Sequence, residues 1–486
     1  MSGALARIRR SVRGPSHRWW ALGAVQCGNF AVYMDSFIVT LALPAMARQF
    51  GCGLHEVKWV LVAYLVSLTV SLLLAGRLAD RFGRRAITIA GMGTLATGSA
   101  LCFFAPNLSL LIASRALQGL GGALVLANVM AEIAALFPRG ERRGAMAVNA
   151  SVLAMGQVTG LLAGGWFIET LGWHSIFGVI LAVTLVGLLL DWLILSPPAA
   201  KNEESSFDLA GGLLSILAVG APFALVESLS SWNATQTALL LGGLVAIGLF
   251  VLVEARASQP LLDLRLFRLR AFTCGSLAAL FYFAAVTFCY FLVPLYAQIV
   301  LGYSPLHAGL IMLPLAIALT TASQLAGKIP PRIGARIVST IGIACATAGI
   351  LGLSFRGANS SLTSLLALLA LIGAGGGIFH PPNNSAVLGR VPPAILGSAN
   401  GFFTTARNFG QALGAALAAT LLATGLSHSG AILTPAAGGL HDPGLRDLYL
   451  ATQQHAFHIG AAFGLVGILL SAFRGPPPPL TPPTSG

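Results

Sequence analysis

Apolar runs long enough to cross a bilayer alternate with short polar stretches along this chain, from Trp19 to Phe473. A helix rising about 1.5 Å per residue needs about twenty such residues to span a hydrocarbon core. The pattern predicts fourteen spans, within 19–43, 57–76, 86–106, 108–136, 144–170, 174–195, 209–230, 236–255, 271–300, 307–327, 336–356, 361–388, 397–425 and 455–473. The expected fold class is therefore an all-α integral membrane protein.

Charge tests that count independently. The stretch before the first span and every second loop after it take nearly all of the 28 Lys and Arg. The alternate loops hold only Arg48, Lys58, Arg356 and Arg446, while Arg115 and Arg407 fall inside spans. An error of one span would scramble the split. Cytoplasmic loops carry such an excess, so both termini are expected in the cytoplasm, with the chain in the inner (plasma) membrane.

Composition narrows the classes. The chain is 56% hydrophobic and 9% charged, with mean hydropathy +0.83. A soluble protein of this size could not keep so apolar a surface in water. Its net charge of +13 is spread over short inter-span clusters, which argues against nucleic acid as a partner. Six scattered cysteines show neither a CxxC nor a Cys/His pairing, so neither a metal nor any other cofactor is expected. No Walker loop, HExxH or GxSxG constellation is present, and no enzyme activity is expected.

An internal repeat organises the spans. The stretch 76–85, GRLADRFGRR, lines up with 327–336, GKIPPRIGAR. Further on, GLGGA at 119–123 matches GAGGG at 373–377, and Gly156-Gln157 with Gly160 matches Gly410-Gln411 with Gly414. Both copies start from the same side, so the repeat is parallel. Two six-helix bundles, 19–198 and 258–474, then flank an inserted pair of helices in 199–257. Residues 1–18 read as a basic amphipathic segment on the cytoplasmic leaflet, and 475–486 as a disordered Pro-rich tail. Parallel halves with a site between them suit a transporter in which one half rocks against the other.

Few polar residues inside the spans carry chemistry. Asp35 and Arg115 fall at matched depth in the first and fourth spans, where an acid and a base satisfy each other in a medium that punishes either alone. They fit either a protonation switch, with Asp35 taking the proton or a cationic substrate, or a permanent structural ion pair. Arg407 sits too deep in the thirteenth span to snorkel and fits either the substrate path, with Asn383, Asn384 or backbone carbonyls as neighbours, or a clamp between helices. His380, next to Pro381 and Pro382 at an expected break in the twelfth span, reads as a packed neutral histidine. Glu132 and Glu227 read as interfacial. Gly156, Gly160 and Gly164 share one helix face and permit close approach of a partner helix.

The first-half segments resemble the major facilitator superfamily, in particular its fourteen-helix drug/proton antiporter branch (EmrB/QacA-like). The resemblance is carried by 76–85, by Arg115-Ala116-Leu117-Gln118-Gly119 and by DSFIVTLALP at 35–44. In the second half it is carried by PLLDLRLF at 260–267, QIVLGYSP at 298–305, PPNNS at 381–385 and RNFGQ at 407–411. It implies a major facilitator fold and transport by alternating access, most directly proton-coupled export of drugs or other amphipathic small molecules. A narrow-substrate metabolite transporter of the same fold is the alternative. By resemblance Gly76, Asp80, Arg81, Gly83 and Arg84 form a gating loop in which Asp80 holds the cytoplasmic gate closed, and some relatives work with a periplasmic adaptor protein. The chain departs from the family pattern at Leu161, Ala127 and His174, where proline, proline and arginine are usual.

Overall fold

The computed structural model describes residues 17–138, 141–194, 209–227, 234–256, 263–328, 333–357, 360–389, 391–392, 395–427, 440 and 442–475. Residues 1–16 of the basic segment and 476–486 of the Pro-rich tail lie outside that set. Every regular element among the described residues is helical. The first half comprises α1 (His17–Phe50), α2 (Trp59–Phe82), α3 (Arg84–Phe103), α4 (Leu108–Leu136), α5 (Arg142–Leu171) and α6 (His174–Ile194). The inserted pair is α7 (Leu209–Glu227) and α8 (Ala234–Arg256). The second half comprises α9 (Arg270–Ile299), α10 (Pro305–Ile311, continued by Leu313–Ala326), α11 (Ala335–Ser354), α12 (Leu362–Leu388), α13 (Leu396–Ser427) and α14 (Pro443–Ala472).

A helix answers to each of the fourteen expected spans. Thirteen helical stretches are long and apolar enough to cross a bilayer, and α7 contributes a shorter apolar stretch, Leu214–Phe223. Two departures have local causes. α14 begins twelve residues before the expected 455, because Asp442 caps it by accepting from the Gly444 amide at 2.8 Å and Pro443 starts its first turn. Its early turns carry Arg446, Gln453 and Gln454, which mask the start from any hydropathy reading. The break expected at Pro381-Pro382 is absent, and α12 runs on through both prolines to Leu388. The interruption falls instead in α10 at Met312, two residues before Pro314.

The repeat is visible in the packing. A β-carbon built on Gly121 of α4 would press on Gly91 and Leu95 of α3, and one on Gly375 of α12 would press on Gly342 and Ala346 of α11. Gly119 meets Tyr64 of α2, while Gly373 meets Leu315 of α10. Each contact in the first half thus has a counterpart in the second at a near-constant sequence offset. The α2–α3 turn pivots on Gly83 at φ +90°, and the turn before α11 pivots on Gly334 at φ +77°. This backbone region is close to glycine-only, so Gly83→Ala or Gly334→Ala should each lower stability by about 1–3 kcal/mol, read as a drop in unfolding midpoint in detergent. An unchanged midpoint would show that these turns relax freely.

The halves touch near one end of the bundle, the face opposite the basic loops. There α5 meets α10: a β-carbon on Gly165 would lie 2.7 Å from the Leu306 Cα, and Gly309 abuts the Leu161 carbonyl. Gln298 of α9 donates to the Leu41 carbonyl of α1 at 3.1 Å. Lys58, at the start of α2, donates to Thr420 Oγ1 of α13 at 3.1 Å. The inserted α7 packs on α2 and α13 together, through Gly212 on Leu74, Gly220 near Val70, and Phe223 with ring centres 5.2 Å from Phe409.

Candidate functional site

Matched depth does bring Asp35 and Arg115 together. Both are fully buried, and Arg115 Nη1 reaches the two Asp35 oxygens at 2.7 and 2.6 Å. The same nitrogen donates to Gln118 Oε1 at 2.7 Å, and Arg115 Nε donates to the Val60 carbonyl at 2.9 Å. Tyr64 lies under the guanidinium with its ring centre 4.1 Å away, and donates its own hydroxyl to the Val32 carbonyl at 3.1 Å. Gln118 is held in turn by donating to Ser99 Oγ at 2.7 Å. Four helices therefore fix the pair: α1 and α4 carry it, while α2 and α3 orient it. Removing either partner would strand a charge where desolvation exceeds what the remaining dipoles return.

Helix geometry decides what Asp35 faces. At about 100° per residue, positions two apart point to nearly opposite sides. Asp35 points into the first half toward α4, so Tyr33 turns toward the second half. Phe37, four residues from Tyr33, shares that outward face and packs edge-on against Tyr290 of α9 at 4.8 Å. Gln157 of α5 donates to the Tyr290 hydroxyl across the same boundary. The glycine stripe of α5 allows this arrangement: β-carbons on Gly156 and Gly160 would crowd the backbone of α1 at 3.0 Å from the Phe30 carbonyl and 2.7 Å from the Met34 carbonyl, and Gly164 abuts Ile38. In the second half Gly410 and Gly414 meet α9 at Leu280 and Ala284 in the same way.

Across the boundary, Arg407 of α13 stacks on Phe283 of α9 with its guanidinium carbon 4.8 Å from the ring centre. Tyr33, Tyr282 and His380 all lie within electrostatic reach of it. His380 packs against Tyr282 and Phe283, each at 5.2 Å between ring centres. Asn383 does not join this group. It is fully buried toward the basic face, where its Oδ1 accepts from Arg474 and its Nδ2 donates to the Gly275 carbonyl at 3.3 Å. Gly275 precedes Phe283 by two helical turns, which is about 12 Å along α9.

In the loop between α2 and α3, Arg84 donates to the Ala131 carbonyl of α4 at 2.9 Å, and Arg85 to the Trp192 carbonyl of α6 at 3.1 Å. Arg81 lies over its neighbour Phe82 at 5.3 Å, and a β-carbon on Gly76 would meet open space. The side chains of Asp80 and Glu227 lie outside the described set. Glu132 is buried rather than interfacial: it accepts from Thr88 Oγ1 at 3.1 Å, and its other oxygen is unpartnered.

Sequence reasoning passed over the buried acids Asp191 and Glu254 and misplaced Lys58. Asp191 of α6 is buried with both oxygens unpartnered and lies within electrostatic reach of Glu132 and Arg85. An acid in the apolar run Leu188-Leu189-Leu190 was signal enough to single it out. Lys58 reads as a loop cation, yet it is only 1% exposed at the contact between halves. Nothing local in the sequence marks that contact.

The sequence profile described as Major Facilitator Superfamily matches residues 26–415. The riboflavin transporter RibZ of Clostridioides difficile (strain 630) is 27% identical over 456 residues, covering 94% of this chain and 97% of that protein. The multidrug resistance protein Stp of Mycobacterium tuberculosis (strain CDC 1551 / Oshkosh) is 33% identical over 408 residues, 83% of this chain and 76% of that one. The tetracenomycin C resistance and export protein of Streptomyces glaucescens is 30% identical over 413 residues, covering 84% and 76%. Among solved structures, a bacterial homolog of the human lysosomal transporter Spinster, in an inward-facing and unoccupied conformation, aligns with TM-score 0.66 at 15% identity, covering 95% of this chain and 97% of that one.

Proposed function

The chain belongs to the Major Facilitator Superfamily, and from that premise we propose that it is a proton-coupled exporter of the fourteen-helix drug/proton antiporter branch, acting on amphipathic small molecules. Membership makes it a multi-pass membrane transporter rather than an enzyme. The observation that carries the coupling is the fully buried Asp35–Arg115 pair, the deepest charge pair among the described residues of the first half.

The proposed cycle follows from that pair. With the basic loops in the cytoplasm, the closed face is the outer one and this conformation opens inward. Protonating Asp35 removes the negative charge that Arg115 needs and loosens the joint between α1 and α4. Because α1 also carries Leu41 and Phe37 to the second half, a change at Asp35 reaches the closed face through one rigid helix. The glycine stripe of α5 gives α1 a smooth surface on which to shift. On this scheme the α2–α3 loop, with Asp80, latches the inner face once the outer one opens. The relatives named for multidrug resistance and for tetracenomycin C resistance and export support an export direction. The riboflavin transporter, which aligns end to end, supports a second reading in which the chain serves one metabolite.

The test uses everted membrane vesicles energised to an acidic interior, with wild type compared against Asp35→Asn and a panel of cationic, neutral and anionic amphipathic dyes. Addition of a substrate dye should collapse the pH gradient in wild type and leave it intact in the variant. Silence toward every dye, with the protein properly inserted, would sink the multidrug reading and leave the single-metabolite one.

A further inference from the structure

We propose that the space between the halves binds planar aromatic anions, with Arg407 as the residue that selects for negative charge. The inference rests on the transport reading above and assigns its substrate class.

No aspartate or glutamate occurs anywhere between Asp263 and Asp442, a stretch that includes α9 to α13. Arg407 therefore has no acid on any of those five helices to pair with. It makes no hydrogen bond or ion pair with any described residue, and its Nε is buried without a partner. The deepest acid of the first half is not free to help. Asp35 is fully buried, held through both oxygens by Arg115, and turned away from the boundary that Tyr33 faces. A guanidinium at membrane depth without a counter-charge is expensive, and it favours any anion delivered to it.

The surroundings define the rest of the ligand. Phe283 lies against the guanidinium at 4.8 Å and Phe403 borders it at 5.9 Å, so the cation sits among rings rather than acids. Guanidinium planes stack on aromatic rings and grip a carboxylate or sulfonate edge through paired N–H groups. Tyr33 and His380 add ring surface beside it, while Gln157 and Tyr290 supply polar atoms above it at the closed face. The site thus offers a cation, flat apolar walls and hydrogen-bonding groups, but no anion. A lipophilic cation placed there would gain the rings and meet Arg407 as a like charge.

The experiment uses the full chain in nanodiscs of zwitterionic lipid, so that no anionic headgroup competes. Fluorescein and rhodamine 123 share a flat xanthene core and carry opposite charge, and their binding is followed by fluorescence anisotropy. Wild type should bind fluorescein about tenfold or more tighter than rhodamine 123. Arg407→Gln should weaken fluorescein by about tenfold and abolish the preference, while Arg407→Lys, which keeps charge but loses the planar stack, should fall between. Equal or tighter binding of rhodamine 123 to wild type overturns the proposal without recourse to any variant. So does failure of fluorescein to bind, or fluorescein binding indifferent to Arg407→Gln in protein of unaltered melting temperature. A transport arm separates the two readings. Rhodamine 123 efflux that is coupled to protons and blind to Arg407 keeps the exporter and discards the anion site. Fluorescein held by Arg407 whose flux ignores the pH gradient does the reverse.

Discussion

Arg115→Met should lower the stability of the folded protein by about 3–5 kcal/mol, and adding Asp35→Asn should return most of that loss. The single change leaves a carboxylate at zero exposure with its strongest donor gone, while Tyr64 and Gln118 supply no positive charge in its place. The double change removes both charges and keeps similar shapes, and a buried pair replaced as a whole is often close to neutral in stability. Thermal unfolding in detergent reads the stability, and substrate flux in proteoliposomes under an imposed pH gradient reads the coupling. A stable double variant without coupled flux identifies the pair as a switch. A double variant that still couples would reduce it to a structural joint and move the search to Glu132 and Asp191, which are also buried. A single variant as stable as wild type would mean that Asp35 takes up a proton once its guanidinium partner is gone.

The second large effect should come from Gly309→Val. Gly309 faces the Leu161 carbonyl directly, and the obstacle is backbone on both sides, so no side chain can swing clear. Overpacking of this kind costs about 1–3 kcal/mol, and here the strain falls on one conformation only. It should therefore shift the balance toward the state open at this face by about tenfold to a hundredfold. Spin labels on Gly53 and Tyr303, on either side of the contact, should report a longer distance in the variant. No change in distance would mean that α5 and α10 part by bending rather than by separation. The Leu161 carbonyl is presented by an unbroken helix, α5, where Gly309 approaches it.

Much of the fold was legible because lipid leaves so few options. Hydropathy located each helix, and the basic loops set their alternation, since both signals are physical requirements of a spanning chain. The glycine positions of the repeat were readable as pattern, and the structure shows them as contacts such as Gly121 with Gly91 and Gly375 with Gly342. The start of α14 escaped because its polar turns are buried by neighbouring helices, not by lipid, and hydropathy cannot distinguish the two. The Asp35–Arg115 pair was legible because depth along a helix is a one-dimensional quantity. Direction around the helix is not, which is why Asn383 was expected beside Arg407 and lies instead with Arg474. Lys58 failed for a related reason: its burial depends on α13, far away in sequence.

The inserted α7 has a consequence for how molecules reach the protein from within the bilayer. Two seams run between the halves, one where α2 meets α13 and one where α5 meets α10. α7 lies against both α2 and α13, with Phe223 seated on Phe409, so it roofs the first seam along its length. The second seam has no such roof among the described residues. A solute dissolved among the acyl chains thus meets an added helix on one flank and none among the described residues on the other. Lateral entry would be handed, and a bulky residue planted along the lower part of the α5–α10 seam would tax lipid-borne cargo while sparing whatever arrives from water.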